Sequence, residues 1–180
     1  MKRMAQNKLV FFFLGLLFIA PGLSAYVVYM HPQWLSQATT NKGHFLKPPR
    51  PLSALGDEKT WRIVLWSPNG CDTDCMAQLE QLERVRLALG RRFYDVQFWL
   101  VQRADAPPVP PKMMNALRYH AIHWLTLSTE EITQVALPSS PAIFLANPMH
   151  YLVLEYSITS EPNDIFHDIK LLLTADKASN

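Results

Sequence analysis

Residues 9–30 contain no charged side chain. No other stretch constrains the architecture as strongly. A lone segment crosses a bilayer core only as a helix, which satisfies its own backbone polar groups, and about 20 apolar residues suffice to span it. Lys2, Arg3 and Lys8 precede the run, and no acidic residue does. That asymmetry predicts a cytoplasmic N-terminus, with everything after the run on the far side. Tyr26, Tyr29 and Trp34 fall near the far end, where amphipathic rings favour the interface, and Pro21-Gly22 is tolerable in a membrane helix. The competing reading is a cleaved signal peptide, with an apolar core at 11–20 and Leu23-Ser24-Ala25 as its cleavage site. Against it, Leu23 is large where a small residue is wanted, and the apolar stretch continues through Val27 and Val28. Both readings export the remainder into an oxidising compartment.

With the anchor, the expected divisions are a cytoplasmic N-terminus at 1–8, a transmembrane helix at 9–30, a proline-rich tether at 31–55, a folded domain at 56–176 and a tail at 177–180. The formal net charge of +2 is small, and Lys and Arg neither form long runs nor interleave with aromatics, which sets nucleic acid aside as a partner. The tether carries Lys47-Pro48-Pro49-Arg50-Pro51, and proline prevents helix and disfavours interior strands. At most a short edge hairpin around 43–46 is expected there.

Within the domain, 61–66 is a short β-branched and aromatic run that predicts a buried strand. Met76, Leu79, Leu82, Val85, Arg86, Leu87 and Leu89 give a helical stripe over 74–89, with Gly90 as its stop. A second strand is expected at 96–101, a rigid loop at 106–111 with four prolines in six residues, and a short helix at 112–120. A minor strand at 125–127 follows, and Ser128-Thr129-Glu130-Glu131 has the pattern of a capping box. Strands at 142–146 and 151–156 flank the turn Asn147-Pro148-Met149-His150, and a last helix covers 163–173 with Pro162 in its first turn. Trp61, Trp66, Phe98 and Trp99 are most simply core, and Met113-Met114 core filler.

Cys71 and Cys75, the only cysteines, lie between the first strand and the first helix of the domain, directly after Ser67-Pro68-Asn69-Gly70. At such a junction the positive end of the helix stabilises thiolates. The pair therefore points to redox exchange or to binding of a soft metal. Asp72 and Asp74 are simplest as helix-start residues that cap free amides.

This element order, with the dicysteine after the first strand and a closing hairpin and helix, resembles a thioredoxin-like domain over 56–176: an α/β fold whose central mixed sheet is flanked by helices. Ser140-Pro141-Ala142-Ile143-Phe144-Leu145 resembles the segment of that fold in which a cis-proline precedes a central strand. The resemblance implies that Pro141 faces the cysteines and shapes a contact beside Cys71. The three-residue spacer of Cys71-Asp72-Thr73-Asp74-Cys75 is similar to that of the Sco/SenC family, membrane-anchored copper chaperones for cytochrome c oxidase. The strings Thr39-Thr40-Asn41-Lys42-Gly43, Pro48-Pro49-Arg50-Pro51-Leu52 and Arg84-Val85-Arg86-Leu87-Ala88-Leu89-Gly90 resemble small bacterial Sco-like membrane proteins associated with haem–copper oxidase assembly. The implied setting is the bacterial inner membrane, single-pass, with the C-terminal domain in the periplasm. The implied partners are haem–copper oxidase subunits or copper chaperones.

One departure matters. Sco proteins bring a histidine to copper from just before the strand of the closing hairpin, and here that place reads Leu137-Pro138-Ser139-Ser140-Pro141. His44, His120, His123 and His150 do not match it. His44 lies in the tether, His120 and His123 have ligand-like spacing on a helix but apolar neighbours, and His150 falls in a turn.

Three uses of the cysteines stay open. As a redox pair in a thiol–disulfide oxidoreductase, Cys71 attacks and Cys75 resolves, with Asp72 and Asp74 working against a very low thiol pKa. As metal ligands, Cys71 and Cys75 suit Cu(I), a soft ion. As a structural disulfide, the pair staples a short turn in a scaffolding protein without turnover.

Overall fold

The computed structural model describes residues 2–31, 40–56 and 58–179. They belong to two units, Met1–Thr40 and Asn41–Asn180. The first holds α1 (Lys2–Met30), which contains Pro21. Its stretch Phe13–Met30 is long and apolar enough to cross a membrane by length and composition.

The second unit is built on a six-stranded mixed sheet of β1 (His44–Pro51), β2 (Trp61–Trp66), β3 (Val96–Arg103), β4 (Ile122–Leu127), β5 (Ala142–Ala146) and β6 (Tyr151–Ser157), ordered β1-β6-β5-β2-β3-β4. β2, β3 and β4 run parallel, and β5, β6 and β1 alternate in direction from β2 outward. The helices are α2 (Thr73–Ala88), α3 (Pro111–Tyr119), α4 (Thr129–Val135) and α5 (Pro162–Ser179). This is the thioredoxin-like architecture expected.

Both faces of the sheet are covered, which is why β2, an interior strand between β3 and β5, is buried at every position. Ile63 and Leu65 pack with Leu79 and Leu82 of α2, Leu117 of α3 and Ile165 and Ile169 of α5. Val64 and Trp66 face the other way, onto Leu52, Leu55, Val135 and Phe144. Arg62 is the polar exception, fully buried in mid-strand. Its guanidinium donates to the carbonyls of Gly56 and Thr60 at 3.2 and 3.1 Å and to that of Glu58. Burial pushes its pKa down.

The tether gives way to fold earlier than expected. His44–Pro51 is a strand despite three prolines, because it pairs on one side only, with β6, and an edge strand can lack donors on its free side. Its start is fixed by a buried carboxylate. Asp168 of α5, 1% exposed, accepts from the Lys42 and Gly43 amides at 2.7 and 2.8 Å, the Tyr156 hydroxyl at 2.7 Å and His167 Nδ1 at 3.0 Å. A Cβ at Gly43 would stand 2.5 Å from the Tyr156 ring, so the chain approaches this closely only as glycine. Burial pushes the Asp168 carboxyl up, but the bonds from Gly43, His167, Tyr156 and Lys42 outweigh it and hold its pKa below the usual carboxylate range. Burial, reinforced by that carboxylate, raises the Tyr156 phenol.

Other expectations shift in detail. The stripe on α2 is narrower than its seven residues: Leu87 is 57% exposed, whereas Arg86 turns inward to pair with Glu83 at 3.1 Å and to lie over the Phe93 ring. α3 ends at Tyr119, and Ala121 adopts a φ of 50°, which starts β4 at Ile122 rather than 125. His120 and His123 therefore do not share a helix. Ser128 and Glu131 form the capping box reciprocally, and the hairpin turn 147–150 is as read.

Candidate functional site

Parallel strands β2 and β3 end at the same edge of the sheet as β5 begins, so the turns after β2 and β3 and the segment before β5 gather at one end. Ser67, buried, leaves β2 with its amide donating to the Val101 carbonyl at 2.9 Å and its hydroxyl to the Gly70 carbonyl at 2.6 Å. The turn is closed by Gly70 at a φ of 95°, a conformation that side chains resist. A Cβ there would also stand 3.2 Å from Pro107 Cδ, so the proline-rich loop after β3 rests directly on this turn.

Cys71 follows, half-buried against the core. Asp72 is the N-cap of α2, its carboxylate accepting from the Cys75 amide at 2.9 Å, as expected for an acidic residue at a helix start. Cys75 lies in the first turn of α2 and is 7% exposed, packed with Leu79, Met113 and Leu117. The two cysteines form a disulfide with their Cα atoms 5.1 Å apart. One sulfur belongs to a partly accessible residue and the other to a buried one, at the positive end of a helix. Such an arrangement can open by attack on the outer sulfur, with the inner one leaving as a thiolate that the helix dipole favours. Asp72 and Asp74, both exposed, oppose that charge.

The remaining candidates distribute as follows. Pro141 lies one residue outside the Trp66–Ala142 pair, at the cysteine end of the sheet. Its peptide bond is trans, contrary to expectation: among the described residues the one cis bond is Lys47–Pro48. The preceding backbone is held instead by the Trp66 indole, which donates to the Pro138 carbonyl at 2.8 Å. His44 starts β1, pairing through Glu155 and Phe144 to the level of Val64. It is thus three strands from β2, about 14 Å sideways, and strand pairing fixes it there. His120, His123 and His150 lie toward the opposite end, at the C-cap of α3, near the start of β4 and in the hairpin turn. His123 stacks on Trp99 with ring centroids 4.6 Å apart, and burial lowers its pKa. Met113 is buried and Met114 partly so, both in the core, as filler.

The contact of Gly70 with Pro107 was not legible in the sequence, although both segments were recognisable as turn and rigid loop. Beside that loop Arg103 and Asp105 pair at 2.6 Å, and the guanidinium holds the Asp105 carboxyl below the usual range.

A family model described as the transmembrane-like, thioredoxin-like, C-terminal domain matches residues 61–176. No curated protein matches the chain. Yeast Sco1 is similar in structure with a TM-score of 0.53 at 14% identity, over 66% of this chain and 82% of that one. Copper-bound yeast Sco1 gives 0.51 at 16% identity, over 65% and 80%. BsSco, described through its disulfide switch as a member of the Sco family of cytochrome c oxidase assembly proteins, gives 0.50 at 12% identity, over 74% and 96%. At these identities the likeness is one of fold.

Proposed function

Because the chain belongs to the transmembrane-like, thioredoxin-like C-terminal domain family, we propose that it is a membrane-anchored thiol–disulfide exchange protein acting through Cys71 and Cys75. The observation that carries this reading is the asymmetry of the bridge: Cys71 is half-buried ahead of the N-cap of α2, whereas Cys75 is buried inside its first turn. A thiolate on a reduced partner attacks Cys71 Sγ, the Cys71–Cys75 bond breaks, and its electron pair leaves on Cys75 Sγ, which takes up a proton. A second partner thiolate then attacks the partner's sulfur in the mixed disulfide and releases Cys71. The partner loses two electrons as the bridge gains them. Pro141, at the same end of the sheet, borders the approach to the bridge.

Copper is the second reading, with the ion as cargo. The closeness of the two cysteines supports it, since their reduced sulfurs could share one soft ion. The two sulfurs fit Cu(I), and two places do not supply an added imidazole: 137–141 has no histidine, and His44 is held three strands away. In either reading the domain follows α1 across the bacterial inner membrane into the periplasm, where a haem–copper oxidase subunit or a copper chaperone is the partner. The fold shared with BsSco and the charge asymmetry around α1 support that setting.

The test uses the full-length chain in detergent micelles. Equilibration in glutathione buffers is expected to reduce the bridge at a potential in the range of catalytic exchangers, and a value below about −300 mV would mark a structural staple instead. Cys75→Ser is expected to accumulate a mixed disulfide through Cys71, and Cys71→Ser none. Anaerobic titration of the reduced chain decides the cargo: about one Cu(I) retained, and lost in Cys71→Ser, favours copper.

A further inference from the structure

The loop after β3 is the one segment singled out in the sequence that the exchange reading leaves unused. It carries Pro107, Pro108 and Pro110, Pro111 opens α3 directly after it, and all four are exposed. Val109 between them turns inward, onto the same core cluster that Cys71 packs against, so the prolines are presented outward together. Pro110 has φ −58° and ψ 146°, the geometry of a polyproline helix, and proline rings fix φ in advance, so this ridge is stiff before anything binds. Its position is set by Pro107 against Gly70, whose next residue is Cys71. Arg103 and Asp105, on the N-terminal side of the loop, pair with each other, and Lys112 follows Pro111.

We propose that this ridge is the surface on which the exchange partner docks, and that the partner carries an aromatic side chain beside its reactive cysteine. The proposal rests on the exchange reading and specifies its substrate. Three prolines within 107–110 leave Val109 as the single backbone donor there, too few for strand addition, which leaves ring packing as the mode of recognition. Aromatic faces are the groups that pack on extended prolines. An aromatic seated on Pro107 and Pro108 would hold its neighbouring thiolate over Cys71 Sγ. The chemistry is unchanged: the partner's thiolate forms the new bond to Cys71, Cys75 leaves with the electron pair and a proton, and a second thiol completes a two-electron oxidation of the partner.

The experiment follows reduction of the oxidised full-length chain in micelles by thiol trapping and mass spectrometry. The reductants are glutathione and two peptide thiols that differ only in a tryptophan or an alanine beside the cysteine. The tryptophan peptide is expected to react about threefold faster or more than the alanine peptide, the scale of one aromatic contact. That preference, read as the ratio of the two peptide rates on each chain, should vanish in Pro107→Ser/Pro108→Ser and weaken in Pro108→Ala alone. The glutathione rate also reports that the site remains folded. Equal peptide rates on the unaltered chain, or a preference that survives in the double variant, would overturn the docking proposal and leave exchange standing. If glutathione and both peptides all fail to open the bridge, the exchange reading falls together with it.

Discussion

The Asp168 carboxylate and the Cys71–Cys75 bridge each fasten one part of the chain to another, the first without a covalent bond and the second with one. Asp168 joins residues 125 and 126 positions apart, and the bridge joins residues 4 apart. The closure entropy that a cross-link removes from the unfolded chain grows with the logarithm of the loop. The covalent tie therefore has little to contribute to stability, and the non-covalent one closes nearly the whole domain. Asp168 is also buried with donors on both oxygens, so its loss would strand two amides and a phenol. The difference teaches a division of labour: the buried carboxylate ties the start of the domain to its last helix, whereas the disulfide closes only a local turn.

Asp168→Ala is the severest challenge to this comparison. It is expected to cost about 3–5 kcal/mol in urea unfolding, since it removes one side of a buried polar network and leaves the other unsatisfied. Cys71→Ser/Cys75→Ser, or reduction, is expected to cost about 2 kcal/mol or less, the entropic value for so short a loop. A larger loss from opening the bridge than from removing Asp168 would reverse the assignment and make the disulfide a staple.

The third prediction sharpens the contrast through pH. The pKa of Asp168 is depressed in the folded state, so its stabilisation is complete above the unfolded value of about 3.9 and disappears as pH falls through the folded value. The stability gap between the unaltered chain and Asp168→Asn should be constant above about pH 5 and narrow below about pH 4. The bridge, which does not titrate while oxidised, should contribute a pH-independent increment over the same range. A gap that stays flat down to pH 2 would mean that Asp168 is not the acid-labile tie.

The parts of this molecule that could be read in advance are those governed by local rules. The run at 9–30, the apolar strand β2, the Asp72 cap, the Ser128 box and the hairpin turn at 147–150 each carry their cause within a few residues. What escaped reading depends on contacts between distant segments. The prolines at 48, 49 and 51 spoke against a strand because a free edge cannot be seen in a sequence. Asp168 looked like an ordinary polar position on the last helix, and its partners at 42 and 43 lay in a stretch expected to be irregular. Leu87, expected in the stripe of α2, is exposed, whereas Arg86 beside it is received by Glu83 and the Phe93 ring. His123 was expected on a helix because the left-handed turn at Ala121, an alanine, gives no local signal. At the site, the cysteines and their cap were legible, whereas the trans bond at Pro141 and the seating of Pro107 on Gly70 were not.

Where Asp168 grips the chain has a mechanical meaning as well. A domain tethered by its N-terminus receives any tension along residues 40 and 41, and the first bonds it meets are the Lys42 and Gly43 amides on that carboxylate. The load then passes to α5 and β6 before it reaches the first paired residue of β1, His44. A pull on residue 41 is thus borne by a clasp at the far edge of the sheet, three strands from β2. The strand that leads into the cysteine turn is shielded from it.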